Sequence, residues 1–187
     1  MSDTQDNPLP HLGFQRFSPS SKLARYVQCY WFIRTKHQAI NTSEYLHPDG
    51  GISTIFNYSD NLKFDNDHDV GNTIFDGANT TSRALHLNGH VDAVGIRFLP
   101  VGVRAFLATP LNEFKGELLP LADTPINGYD DLYHKLANVA SYPGKVLLIK
   151  DWLSQVIAPE QGVLNIVNAS LNLLDQHQGT LAISAIA

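Results

Sequence analysis

Residues 45–58, YLHPDGGISTIFNY, decide the fold of this chain of 187 residues. Pro48, Asp49 and Gly50 favour a turn, because proline presets φ, aspartate bonds to the backbone and glycine tolerates positive φ. The β-branched and aromatic run that follows, residues 52–58, has the composition and length of a β-strand. This stretch therefore predicts a tight turn that leads into a buried strand.

The same pattern recurs on both sides of this turn. Residues 27–33, VQCYWFI, are almost continuously apolar, which predicts a strand buried on both faces. Further strands are predicted at residues 62–64, 70–75, 83–87 and 91–98, with Asn, Asp and Gly turns between them. Short strands at this spacing predict a sandwich or barrel rather than alternating β–α units.

The hydrophobic period changes to that of a helix after residue 129. Helices are predicted at residues 129–140, 146–157 and 163–174, and Tyr142-Pro143-Gly144 is expected to separate the first two. The predicted fold class is therefore α+β, with an antiparallel, cupin-like β-barrel or sandwich followed by a C-terminal set of helices.

The last 25 residues combine an amphipathic helix, a glycine stop and the first turns of another helix. Residues 179–187, GTLAISAIA, resemble the start of the DNA-binding domain of AraC/XylS-family transcription regulators. The positions that fall on the family's pattern are Gly179, Leu181, Ile183, Ile186 and Ala187. Ala182 stands at a capping position that is often serine, which removes a cap worth about 1 kcal/mol.

Residues 14–125 resemble the N-terminal domain found in a subset of these regulators. Three elements occur in the family's order: a strand with Tyr30-Trp31, the turn 48–50 into an apolar strand ending in Asn57, and the segment GIRFLP at 95–100. The family usually has a second glycine soon after that proline, whereas this chain has Gly102 alone.

These resemblances imply the regulatory domain of an AraC-like transcription regulator, for ligand sensing or dimerisation. We expect a flexible tail at 1–13, a β-rich sensor domain at 14–125, a helical connector with dimerisation helices at 126–160, and a truncated helix-turn-helix domain at 161–187. The recognition helix would then be missing, so no DNA-binding residue is predicted in this chain. The full-length protein would be a homodimer that binds promoter DNA and responds to a small-molecule effector.

Composition and charge fit this expectation. The formal charge of −5 disfavours DNA binding by these residues alone, since phosphate binding needs clustered Lys and Arg. The polar N-terminus lacks a signal-peptide core, no apolar run has the length of a membrane span, and Cys29 is the only cysteine. We therefore expect a cytoplasmic protein with no membrane partner.

The candidate ligand-binding residues are Tyr30, Trp31, His47, Asp49, Phe56 and Arg97. Arg97 lies between Ile96 and Phe98 in an apolar strand, so its side chain should face away from theirs. It is either a solvent-facing or structurally paired arginine, or an anion-recognising group in a pocket walled by aromatic side chains. A turn alone would explain His47 and Asp49.

No motif for catalysis, a metal or a cofactor is apparent, and we do not expect an enzyme. His86 and His90 are four residues apart, but Asn88-Gly89 between them favours a turn rather than a metal-binding helix. The alternatives are a cupin-like small-molecule-binding protein or metalloenzyme with a helical tail, and an interaction module whose β interior is packed solid.

Overall fold

The computed structural model describes residues 9, 12–35, 39–48, 50–60, 62–65, 69–100, 102–107, 110–157, 169, 170, 173, 174, 176, 177 and 180. The chain divides into two compact units, Met1–Ile157 and Ala158–Ala187. The first unit contains two antiparallel β-sheets and two α-helices.

The strands are β1 (Gln15–Phe17), β2 (Val27–Arg34), β3 (Ile40–Leu46), β4 (Ile52–Asn57), β5 (Lys63–Phe64), β6 (Thr73–Asp76), β7 (Arg83–Gly89), β8 (Asp92–Phe98) and β9 (Leu118–Pro120). The large sheet has six strands in the order β1-β2-β8-β4-β6-β9, and the small sheet has three in the order β3-β7-β5. Short 3₁₀ helices span Gly102–Ala105, Leu111–Phe114 and Leu121–Asp123. The α+β sandwich prediction is confirmed, and the two sheets do not close into a barrel.

The large sheet is covered on both faces. All six residues of β4 are buried, and β2 is buried on both sides, as its continuous apolarity predicts. One face packs on the helices, where Phe56 meets Trp152 edge-on and Phe32 packs on Tyr142. The other face looks towards the small sheet. The large sheet is thus the middle layer of three.

Two helices cover the outer face of the large sheet, α1 (Tyr129–Ala137) and α2 (Tyr142–Val156). Pro143 and Gly144 do not separate them, contrary to the prediction, but lie in the first turn of α2. Proline is favoured there because its missing N–H would have no partner within the helix. The Ser141 side chain caps this helix by accepting a hydrogen bond from the Gly144 N–H at 3.3 Å.

Aromatic contacts fix the helices to the end of β4. The rings of Tyr58 and Tyr133 stack with their centres 4.7 Å apart. The Tyr58 hydroxyl donates a hydrogen bond to the Tyr133 carbonyl, and the Tyr133 hydroxyl donates one to the Asn57 carbonyl. The Lys145 ammonium of α2 lies 4.9 Å from the centre of the Tyr58 ring. These contacts tie both helices to the residues where β4 ends.

An apolar cluster lies between the two sheets. Its central members include Phe64, Leu87, Val91 and Ala93, all almost completely buried. Leu12 also belongs to this cluster, although it lies in the stretch predicted to be a flexible tail. Residues of both sheets and of the N-terminal segment therefore meet in one cluster.

The sequence pattern missed β1, β3 and β9. In β3, half-buried and exposed residues alternate, but several of the half-buried, inward-facing residues are polar, such as Thr42 and Glu44. An amphipathic period based on apolar residues therefore cannot reveal this strand.

The second unit holds the residues on which the helix-turn-helix prediction depends. Ala169, Ser170, Leu173, Leu174 and Gln176 are helical, in or next to the predicted helix at 163–174. Gly179 and residues 181–187, which carry the resemblance to the DNA-binding domain, lie outside the described residues. No helix within the described part of the chain is long and apolar enough to cross a membrane.

The hydroxyl of Tyr30 provides a test of the packing between the large sheet and the helices. It is buried and has no hydrogen-bond partner among the described residues, and burial raises the pKa of the phenol. An unpaired buried hydroxyl costs about 1–3 kcal/mol. We therefore expect Tyr30→Phe to leave the free energy of unfolding unchanged or to raise it, as measured by urea denaturation.

Tyr58→Phe is the matched control, because the Tyr58 hydroxyl has a partner in the Tyr133 carbonyl. Its loss should lower the free energy of unfolding by about 0.5–1.5 kcal/mol. A larger loss for Tyr30→Phe than for Tyr58→Phe would show that this account of the layer is wrong.

Candidate functional site

A cavity of about 390 Å³ lies between the two sheets, next to the apolar cluster. Five residues belong to both the cluster and the cavity lining: Leu12, Ile33, Ile55, Leu85 and Leu87. Its apolar walls come from both sheets and from the N-terminal segment: Leu9, Leu12, Phe14, Trp31, Ile33, Tyr45, Leu46, Ile55, Leu85 and Leu87. Its polar lining is Glu44, His47, Ser53, Asp76, Asn79 and Arg97. An apolar cleft of this size with a few polar groups is typical of small-molecule sites.

The polar groups of the large sheet lie in one row across four neighbouring strands. Cys29 is paired with Arg97, Arg97 with Ser53, and Ser53 with Asp76. Directly paired residues of adjacent strands point to the same face of a sheet. The next inward row, two residues along each strand, is Trp31, Gly95, Ile55 and Ile74. The register of these four strands thus places a polar row next to an apolar row on the inward face of the large sheet.

Gly95 is required by the position of Trp31. The Trp31 indole lies across the inward face of Gly95, and a Cβ on this glycine would overlap the ring. The Trp31 ring lines the cavity and is only half-buried. Because the glycine lets the ring lie close to the sheet, the cavity gains an aromatic wall.

Gly51 has the same relation to Arg97. A Cβ at Gly51 would lie 2.6 Å from Nε of Arg97, so the second glycine of the Pro-Asp-Gly-Gly turn makes room for the guanidinium. Nη1 of Arg97 donates a hydrogen bond to Oγ of Ser53 at 3.0 Å. Burial lowers the pKa of Arg97, and Cys29 acts in the opposite direction. Arginine nevertheless stays charged in proteins, so a cation faces the cavity.

Asp76 is the acidic member of the polar row and is neutralised by Arg83. Nη1 of Arg83 donates to Oδ1 of Asp76 at 2.6 Å, and both side chains are buried. Asn79 donates to the same carboxylate oxygen, while Nη2 of Arg83 donates to the Gly116 carbonyl. Burial raises the pKa of Asp76, and the Arg83 guanidinium and Asn79 act in the opposite direction. The pair joins β6 of the large sheet to β7 of the small sheet.

The remaining polar lining comes from β3 and the turn after it. Glu44 and Leu46 are inward positions of β3. His47 is exposed, and its Nδ1 is 3.1 Å from Oγ of Ser82. These residues form the wall opposite the large sheet.

The structure brings together three of the six candidate ligand-binding residues. Trp31, His47 and Arg97 line the cavity. Tyr30 and Phe56 do not, because strand alternation turns them to the opposite face of the large sheet, where Phe56 packs on Trp152. Asp49 lies outside the described residues. Of the three aromatic residues proposed as alternative walls of the pocket, Trp31 lines the cavity.

Sequence reasoning missed Ser53, Asp76 and Asn79, and also the partner of Asp76, Arg83. Ser53 reads as an ordinary polar residue within an apolar strand, and its position beside Arg97 depends on register. Arg83 lies seven residues from Asp76 across a turn, and no spacing rule marks such a pair. An acid at the end of an apolar strand, TIFD, is the one signal that could have been used.

Among the residues that the structure describes, the other titratable groups do not form a second centre. Cys29 is buried, and burial raises the pKa of its thiol. His86 lies on the small sheet, with Nδ1 2.8 Å from Oγ of Ser43 and Nε2 3.1 Å from the Asp65 carbonyl. Within the described ranges, no three His, Cys, Asp or Glu residues are grouped so as to hold a metal ion.

Comparisons with known proteins place the chain in a family. The model of a domain of unknown function (DUF6597) matches residues 15–120, more than half of the chain. The chain belongs to the DUF6597 family. The DUF6597 range contains the cavity's large-sheet wall, including Trp31, Gly51, Gly95 and Arg97.

This DUF6597 protein also has a structural neighbour at low sequence identity. It is similar to the crystal structure of the AraC-like transcriptional activator CuxR, with a TM-score of 0.41 and 14% sequence identity. The similarity covers 95% of this chain and 75% of that chain. The comparison with curated proteins gives no match.

A double-mutant cycle tests the contact between Trp31 and Gly95. Gly95→Ala should lower the free energy of unfolding by about 1–3 kcal/mol, because the new methyl group overlaps the indole and forces it to move. In a Trp31→Ala background the same change should cost much less. The measurement is urea unfolding of the four proteins, and additive effects of the two substitutions would contradict the contact.

A second cycle tests the Asp76–Arg83 pair. Asp76→Ala removes the closer carboxylate of the buried Arg83 cation and leaves it only the more exposed Asp65, whose Oδ2 is 3.5 Å from Nε, so it should lower the free energy of unfolding by about 3 kcal/mol. Asp76→Ala with Arg83→Met removes both charges and should recover part of that loss. If the double variant is less stable than the sum of the single changes predicts, the pair does not act as described.

Proposed function

We propose that this DUF6597 protein is the regulatory domain of an AraC-type transcription regulator, and that the cavity between its sheets holds a small-molecule effector. The domain acts by binding rather than by catalysis, and the complete regulator binds promoter DNA as a homodimer in the cytoplasm. The resemblance of residues 14–125 and 179–187 to that family supports the DNA-binding role.

One observation carries the effector-binding role. The three sequence elements that resemble the N-terminal domain of the regulators meet at one wall of the cavity. Trp31 comes from the Tyr-Trp strand, Gly51 and Ser53 from the Pro-Asp-Gly turn and its strand, and Gly95 and Arg97 from the Gly-Ile-Arg-Phe segment. If these elements served only to pack the core, we would expect their side chains to fill the interior rather than to border a cavity.

The proposal predicts sequence-specific DNA binding by the complete product of the gene that encodes this chain. Fluorescence anisotropy with the DNA upstream of that gene should show affinity at least about a thousandfold above that for a scrambled duplex. The logarithm of the affinity should fall linearly with the logarithm of the salt concentration, because phosphate contacts release counterions.

The 187-residue chain alone is the control for this measurement. Its formal charge of −5 gives no basis for phosphate binding, so it should not bind either duplex. Equal affinity of the complete protein for the upstream and scrambled DNA would overturn the regulator assignment, and would leave a small-molecule-binding protein as the alternative.

A further inference from the structure

We infer that the cavity binds an uncharged, planar aromatic molecule that stacks on the Trp31 ring. This inference rests on the proposed function, because it names the chemical class of the effector. Three observations carry it: the position of the indole, the apolar walls around it, and the interactions that the charged lining residues already have within the protein.

The Trp31 indole offers one of its faces to a ligand. A Cβ on Gly95 would overlap the indole, so the ring lies across that glycine. Trp31 is half-buried and lines the cavity, so the face that points away from Gly95 borders the open space. Aromatic rings prefer offset stacking or edge contacts with other rings. A ring that lies against the sheet on one side and is open on the other therefore favours a planar aromatic ligand.

The walls next to Trp31 are apolar. Ile55 belongs to the same inward row of the large sheet, Leu85 and Leu87 line the cavity from the small sheet, and Phe14 lines it from the N-terminal segment. Because the removal of apolar surface from water is favourable, these walls stabilise an apolar ligand body. A volume of about 390 Å³ is near the lower limit of ligand sites, which span roughly 300–1,000 Å³, so the ligand is small.

The charged lining residues do not require a charge on the ligand. Within the described part of the chain, the carboxylates and the guanidinium that line the cavity belong to Glu44, Asp76 and Arg97. Asp76 is paired with Arg83, and Glu44 and Arg97 each have interactions of their own within the protein. A charged ligand would have to compete with these interactions or remain unpaired in an apolar space, where an unpaired charge is strongly disfavoured. An uncharged ligand has neither cost.

Isothermal titration calorimetry on the 187-residue chain can test the preference for an uncharged ligand, with 2-naphthylmethanol as the probe. The probe is compared with 2-naphthoate and with 2-naphthylmethylammonium, which carry the same ring system with a negative and a positive charge. We expect the alcohol to bind at least tenfold more tightly than either ion, because each ion loses more solvation on entering the cavity. This comparison needs no substitution, so it does not depend on the folding of any variant.

A fourth compound tests the stacking on Trp31. Decahydro-2-naphthylmethanol has the same carbon skeleton as the aromatic alcohol, but its rings are saturated and puckered. The ratio of the two alcohols' affinities therefore reports on the aromatic contact. Trp31→Leu should lower this ratio about two- to tenfold, the size expected of one aromatic pair. Trp31→Phe keeps a ring at this position and should retain most of the ratio.

Tyr129→Leu is the matched control for Trp31→Leu. Tyr129 is a half-buried aromatic residue at the start of α1, and it is not among the residues that line the cavity. Its replacement removes an aromatic ring of similar exposure from another place in the same unit. We expect the affinities of both alcohols, and their ratio, to remain those of the parent chain.

Three results would overturn the inference. An ion that binds as tightly as 2-naphthylmethanol would show that the cavity does not select an uncharged ligand. A ratio that Trp31→Leu lowers no more than Tyr129→Leu does would show that the ligand does not stack on Trp31. If none of the four compounds binds up to millimolar concentration, the ligand class is wrong. The DNA-binding test of the regulator is independent of all three results.

Discussion

The position of the Trp31 ring against the large sheet is the constraint on which the site depends. A ring can lie across a neighbouring strand only where that strand has no side chain, and Gly95 provides this gap. The ring then covers the sheet without filling the space beyond it, and this space is the cavity. Phe64, Val91 and Ala93 of the apolar cluster are almost completely buried and do not line the cavity. The difference between a packed core and a cavity therefore comes from which side chains face inward in each row.

Arg97 lies in the next row because the register of β2, β8 and β4 puts it between Cys29 and Ser53. A cation in a half-buried position loses solvation, which is the cause of its lowered pKa. The structure reduces this cost with the Ser53 hydroxyl and with Gly51, whose missing side chain gives the guanidinium its place. The buried Asp76 carboxylate also loses solvation, and its ion pair with Arg83 compensates for this loss. One row thus holds both a cation and an anion.

The sequence predicts the elements of this site better than their arrangement. Composition and turn residues are enough for β2, β4 and β8, because those strands are apolar and end at clear turns. Alternation also predicts correctly that Arg97 faces away from Ile96 and Phe98. It cannot decide whether Tyr30 or Trp31 shares the face of Arg97, because that depends on the pairing of β2 with β8. In the small sheet, β5 and β7 lie within predicted strands, but β3 escapes prediction because Glu44 and Thr42 face inward and hide its apolar period.

The large sheet joins the cavity to the helices through a single layer of backbone. Along β4, Ser53 and Ile55 face the cavity, while Phe56 faces Trp152 of α2 on the other side. The Trp152 indole also donates a hydrogen bond to the Asn127 carbonyl, so it holds the segment that leads into α1. Packed interiors transmit small displacements because they contain few voids that could absorb them. A ligand in the cavity that contacts Ser53 or Ile55 would therefore act on the same strand that positions α2. In the proposed regulator, this strand connects effector and helices directly, because Ile55 and Phe56 are adjacent residues on its opposite faces.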